Sequence, residues 1–233
     1  MSKNLKRKLT NIGLLAAIAF VVCSALGLAL KQRPAFYEAA YIPDGEIRNQ
    51  QSKECQRKAS DLWSMFGSGD PVWGDKFTNA NINSYLQEDF ETVGGEKNLP
   101  DGFSEPRISF EEGSLRLGCR YGKGFWSTII SINLKVWMVA NEVNTIGIEI
   151  VSLKSGSIGI SPRFLLDQIS ELARKWNADL VWYRRNGNPV AVVKLQASQM
   201  RPTFHIQQLQ IKNNELVLYG HSAANGSRVA QLP

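Results

Sequence analysis

The segment Leu153–Ile169, LKSGSIGISPRFLLDQI, sets three serines, Ser155, Ser157 and Ser161, where a strand-like run gives way to a helix-like one. A nucleophilic serine at such a junction sits in a G-x-S-x-G elbow, because the glycines allow the sharp turn that exposes the hydroxyl. Here Ser155 stands where the first glycine belongs, and no His and Asp partner set accompanies it. Gly156–Ser157 is therefore read as a turn. Ser161–Pro162 reads as a helix start, with serine as N-cap and proline at the first helical position. His205 and His221, the only histidines, lie in strand-like runs with no Cys or carboxylate at a ligand spacing, so no metal site is expected. Glu111–Glu112 and Glu88–Asp89 read as a hairpin turn and a solvated helix face. No P-loop is present and no G-x-G-x-x-G follows a strand. Catalytic residues: none; metal: none; cofactors: none. The chain is read as a non-enzyme.

Charge along the chain is uneven. Lys3, Lys6, Arg7, Lys8, Lys31 and Arg33 precede the first acidic residue, Glu38. Removing those six from the 27 Lys and Arg leaves 21, equal to the 21 Asp and Glu. The remainder is neutral and lacks the field of a duplex-binding protein, so no nucleic-acid partner is expected. Between the two basic clusters, Ile12–Leu30 is a run of 19 uncharged, mostly apolar residues. As a helix it spans roughly 28 Å, close to the hydrocarbon thickness of a bilayer. Four domains follow: a cytoplasmic basic tail over 1–11, a transmembrane anchor over 12–30, a tether over 31–49 and an exported α+β domain over 50–233. The heavier basic cluster at the start places the N-terminus in the cytoplasm and the C-terminal domain outside the inner (cytoplasmic) membrane, periplasmic or extracytoplasmic. A cleaved signal peptide is the rival reading, but its apolar core is usually shorter. Cys55 and Cys119 fall in the exported part, where an oxidising compartment permits a disulfide between them; separate buried thiols are the alternative.

The elements that follow are read from periodicity. SKECQRKASDLWSMF carries Cys55, Ala59, Leu62, Trp63 and Phe66 at helical spacing, and GSGDPVWGDK breaks that helix. FTNANINSYLQEDF begins with Thr78 as N-cap and puts Ile82, Tyr85, Leu86 and Phe90 on one stripe. From residue 107 the period changes to two. Hairpins are expected at Glu112–Gly113, Asn186–Gly187 and Asn213–Asn214, and alternating strands carry Ile130, Ile132, Leu134 and Val136, then Ile146, Ile148 and Ile150. A helix with Leu165, Ile169, Leu172 and Trp176 lies between the strands. The fold class is therefore α+β: an N-terminal single transmembrane helix, then a curved antiparallel sheet packed on one or two helices. Trp63, Trp126, Trp137, Trp176 and Trp182 are read as core, with a cavity lining or a membrane interface as the alternative.

FTNANINSYLQEDF, PRISFEEGSLRLGCRY, INLKVWMVANEVNTIGIEIVSLKSGSIGISPRFLLDQI and the closing ELVLYG together resemble membrane-anchored bacterial proteins of the uncharacterised YpmS-like type, with Asn83, Gly113, Gly156 and Pro162 in their turns. That family is similar in turn to the tubular lipid-binding (TULIP-like) architecture. The resemblance spans roughly residues 75–220. It implies a non-catalytic domain that holds a membrane lipid or another apolar ligand between helix and sheet, lined by Ile130, Ile132, Leu134, Val136, Ile146, Ile148, Leu165, Ile169 and Leu172. The alternative is a solid-cored scaffold that meets another envelope protein through its strand edges or its 67–76 loop.

Overall fold

A computed structural model describes residues 3–68, 72–90, 99–175, 178–195 and 202–222. Helix α1, Lys3–Lys31, is continuous through the apolar run, and its described apolar side chains, Phe20, Val21 and Leu28 among them, face outward. Its length and composition suit a membrane span or a signal sequence. There follow α2 (Ala35–Ala39), α3 (Glu46–Ser68), β1 (Trp73–Thr78), α4 (Asn79–Glu88), β2 (Phe103–Glu111), β3 (Ser114–Tyr121), a 3₁₀ turn (Gly124–Trp126), β4 (Thr128–Met138) and β5 (Thr145–Ser155). The described residues go on to β6 (Ile158–Gly159), α5 (Arg163–Lys175), β7 (Asp179–Arg185), β8 (Asn188–Lys194), β9 (Phe204–Lys212) and β10 (Glu215–Ser222). The molecule is α+β, and its strands form two antiparallel sheets. The larger runs β2-β3-β4-β5-β8-β7 with β6 added beside β5; the smaller runs β1-β10-β9.

Each hairpin turns where expected, with positive φ at Gly113, Asn186, Gly187 and Asn214. Thr78 caps α4 through a full capping box: its hydroxyl accepts from Asn81 N, and the Asn81 side chain accepts from Thr78 N. Helix α5 lays Leu165, Leu166 and Ile169 on Ile130, Ile132, Ile150 and Leu153, closing one face of the large sheet. A second cluster joins the sheets, where Ile108 and Phe110 of β2 meet Ile211 of β9 under Ile82 and Leu86 of α4. A third gathers Cys55, Leu62, Trp73 and Phe77 between α3 and the small sheet.

Both sheets have an edge strand whose backbone is satisfied by an asparagine. Asn83 is 1 % exposed, and its amide donates to Ile108 O (2.8 Å) and accepts from Ile108 N (2.9 Å). Asn144 does the same on β9, donating to Phe204 O (2.6 Å) and accepting from Ile206 N (2.7 Å). Each side chain imitates the next strand of a ladder, satisfying the outward backbone groups of Ile108 on β2 and of Phe204 and Ile206 on β9. Pro106 lies in β2, an edge position where its missing N–H does no harm.

Several readings are corrected. The break at GSGDPVWGDK contains β1, with Trp73 only 2 % exposed. Its strand character comes from a distant partner, β10: Trp73 faces Gly220 and Gly74 faces Tyr219, each ring lying over a glycine that leaves room for it. Segment 31–49 is no free tether, since Tyr37 of α2 is buried and donates to Glu105 O (2.8 Å), while Arg107 stacks over its ring. The signal is a single aromatic, which carries no period. Trp63 and Trp126 are 79 % and 85 % exposed and belong to no core. Trp176 and the Leu172 side chain lie outside the described residues. No bond joins Cys55 to Cys119: both are free and buried, one on α3 and one on β3.

Candidate functional site

Where α1 ends, the sheet holds it. The last carbonyls of a helix have no partner within it. Here Ala29 O accepts from Ser157 N (3.0 Å) and Ser157 Oγ (3.1 Å), and Leu30 O accepts from Thr128 Oγ1 (2.6 Å). The β5–β6 turn approaches so closely that Gly156, at φ +59°, has no space for a Cβ, which would overlap the Ala29 carbonyl oxygen. Lys31 completes the contact with its ammonium 4.2 Å from the Phe125 ring centroid and 3.4 Å from Ser127 O. The serine and glycine of the opening segment thus serve as a dock for the helix end.

Between this helix end and the sheet lies a cavity of about 860 Å³. One wall is α1 itself, from Ser24 through Gly27 and Leu28 to Lys31. The opposite wall is Phe103, Tyr121, Ile130 and Ile160, and the rim is Phe125 and Trp126 of the 3₁₀ turn. Phe103 and Tyr121 meet at a tilt with centroids 5.0 Å apart, and Phe125 meets Trp126 edge-to-face at 5.4 Å. The rim aromatics are 77 % and 85 % exposed beside the apolar flank of α1. Among the described residues of the lining Lys31 alone is charged, and the hydroxyls of Ser24, Ser127, Thr128 and Ser155 have no His or carboxylate beside them in it. What it offers is apolar volume in the range of small-molecule sites.

Of the residues singled out from the sequence, Ile130 lines this cavity. Ile132, Leu134, Leu165 and Ile169 pack into the cluster beneath α5; Val136 leans toward Ile108 and Phe110; Ile146 and Ile148 are half-buried on β5. The wall from α1 and Phe125 were not anticipated, whereas Trp126, read as core with a cavity lining or a membrane interface as the alternative, stands at the rim. An aromatic pair in the loop KGFWS, next to a basic residue, was the available signal.

A recess of about 370 Å³ lies on the other side of the same helix end. Its floor is the polar face of β4 and β5, Ser131, Asn133 and Ser152, and its margin carries Arg33, Arg116 and Lys154. The titratable groups with displaced pKa values lie elsewhere. Glu105 is held below the usual carboxylate range by a two-pronged bond from Arg120 (2.7 and 2.9 Å). Burial pushes Tyr37 up to about 12, Cys55 to about 11 and Cys119 to about 12. These residues join α2, α3 and β3 to the body. His205 and His221 stack face to face across β9 and β10, and no metal-binding group of His, Cys, Asp and Glu occurs among the described residues. Set against protein families, curated proteins and solved structures, the chain matches none.

Proposed function

We propose that the chain is a single-pass membrane protein whose extracytoplasmic domain holds a lipid acyl chain or similar apolar ligand in the cavity beside the end of α1. The observation that carries this reading is the cavity's construction: one wall is the lipid-facing helix, so a bilayer lipid enters it without crossing water. Exposed Phe125, Trp126 and Tyr121 beside Lys31 fit the aromatic and basic belt of a membrane interface. The TULIP-like resemblance agrees in ligand class, although that architecture seats its ligand between helix and sheet, where α5 packs here.

Native mass spectrometry of the full-length chain, released from detergent after incubation with phosphatidylcholine, tests the proposal. One tightly retained lipid per chain is expected. Gly27→Phe places a ring in the cavity from a position with open space around its Cβ, and is expected to abolish retention without lowering the melting temperature. Equal retention in both proteins would refute the site and favour the solid-cored scaffold.

A further inference from the structure

The polar recess is the second feature of this helix end. Across three neighbouring strands the residues Arg116, Asn133 and Ser152 stand in one row, because Arg116 pairs with Asn133 and Asn133 with Ser152. In the next row Lys154 pairs with Ser131. Arg33 comes from the segment immediately after α1, and Phe36 of α2 closes one side. The lining holds three cations and no carboxylate. Arg116 is offset by Glu111 at 2.9 Å, whereas no ion pair engages Arg33 or Lys154 among the described residues. The floor adds a specific demand: Asn133 Oδ1 is buried and has no hydrogen-bond partner. A buried acceptor of this kind calls for a donor. The recess therefore combines positive charge at its margin with an unfilled acceptor at its base, beside the segment that follows the apolar helix.

We infer that this recess binds a phosphate anion carrying a hydroxyl, with the phosphate between Arg33 and Lys154 and the hydroxyl donating to Asn133 Oδ1. The headgroup of a hydroxylated anionic glycerophospholipid such as phosphatidylglycerol has both features, and so does a free glycerol phosphate. The inference rests on α1 lying in a bilayer only for its choice of source, because that orientation puts the recess at headgroup level; it does not require the apolar cavity to be filled. It makes the protein selective among lipids by their headgroups, on the side of the sheet opposite the acyl-chain cavity.

Full-length protein in detergent, offered equal phosphatidylglycerol and phosphatidylcholine, is expected to retain the former in preference. Each cation near an anionic lipid contributes roughly a fivefold preference, so Arg33→Gln with Lys154→Gln should lower the ratio by about 25-fold. Both residues are exposed, so the fold should survive. Phosphatidylmethanol, anionic but without a free headgroup hydroxyl, should be retained less than phosphatidylglycerol by wild type and equally by Asn133→Leu. Titration with glycerol phosphate separates the sources: binding of the free compound without any phosphatidylglycerol preference assigns the site to a soluble anion. Equal retention of both phospholipids together with no glycerol phosphate binding overturns the inference. Loss of all lipid retention while glycerol phosphate still binds instead overturns the cavity and leaves the recess standing.

Discussion

Replacing Asn83 with alanine removes two hydrogen bonds that no neighbour can supply. The amide fills the place of a strand at the edge of the large sheet, with both of its bonds made to Ile108, itself only 8 % exposed. After truncation the Ile108 N–H and C=O remain buried without partners. Each unsatisfied buried group costs about 1–3 kcal/mol, so the variant should lose roughly 2–6 kcal/mol. Against a total stability of about 5–15 kcal/mol this is severe. At about 2–4 °C per kcal/mol for a domain of this size, a fall in melting temperature of roughly 4–24 °C is expected. The assay is a thermal melt of the full-length chain in detergent, followed by tryptophan fluorescence. Asn79→Ala is the internal comparison. Asn79 accepts from Phe110 N (2.8 Å) at a part-buried site and donates to Asn214 at an exposed one, where water can replace the protein partner; its loss orphans one group where Asn83→Ala orphans two, and should cost about half as much, roughly 1–3 kcal/mol. Equal melting temperatures for the two variants would show that water reaches the β2 edge, and would refute the argument from burial.

Gly156→Ala should separate α1 from the sheet, since the residue sits at φ +59° and its new Cβ would meet the Ala29 carbonyl. Loss of lipid retention accompanied by a lower melting temperature is expected in detergent, whereas Gly159→Ala, with open space at its Cβ, should leave both unchanged. Glu105, whose carboxyl is held low by Arg120, contributes stability that is present above the unfolded carboxyl value of about 4.3 and disappears as pH falls through the folded one. Glu105→Gln should therefore flatten the acid side of a stability–pH profile below about pH 4.3 while destabilising the protein at neutral pH; an unchanged acid limb would show that the pair contributes nothing.

Elements whose causes are local in the chain could be read directly. The apolar run of α1, the Thr78 cap, the Asn-Gly and Glu-Gly turns and the period-two strands each depend on residues within a few positions, and the structure has all of them. Strand β1 could not be read this way, because Trp73 and Gly74 are held extended by Gly220 and Tyr219. Tyr37 likewise looked like part of a tether until β2 and β3 supplied its burial. The same alternation that marks Ile130 and Ile132 as inward-facing is silent on what covers them. Tertiary packing put α5 over most of that face and left Ile130 at the mouth of a cavity closed by the membrane-suited helix. Composition announced a helix fit to cross a bilayer. Only long-range contacts from Ser157 and Thr128 to its last carbonyls made that helix a wall of the candidate site, because hydrogen-bond partners about 100 residues distant leave no local pattern in the chain.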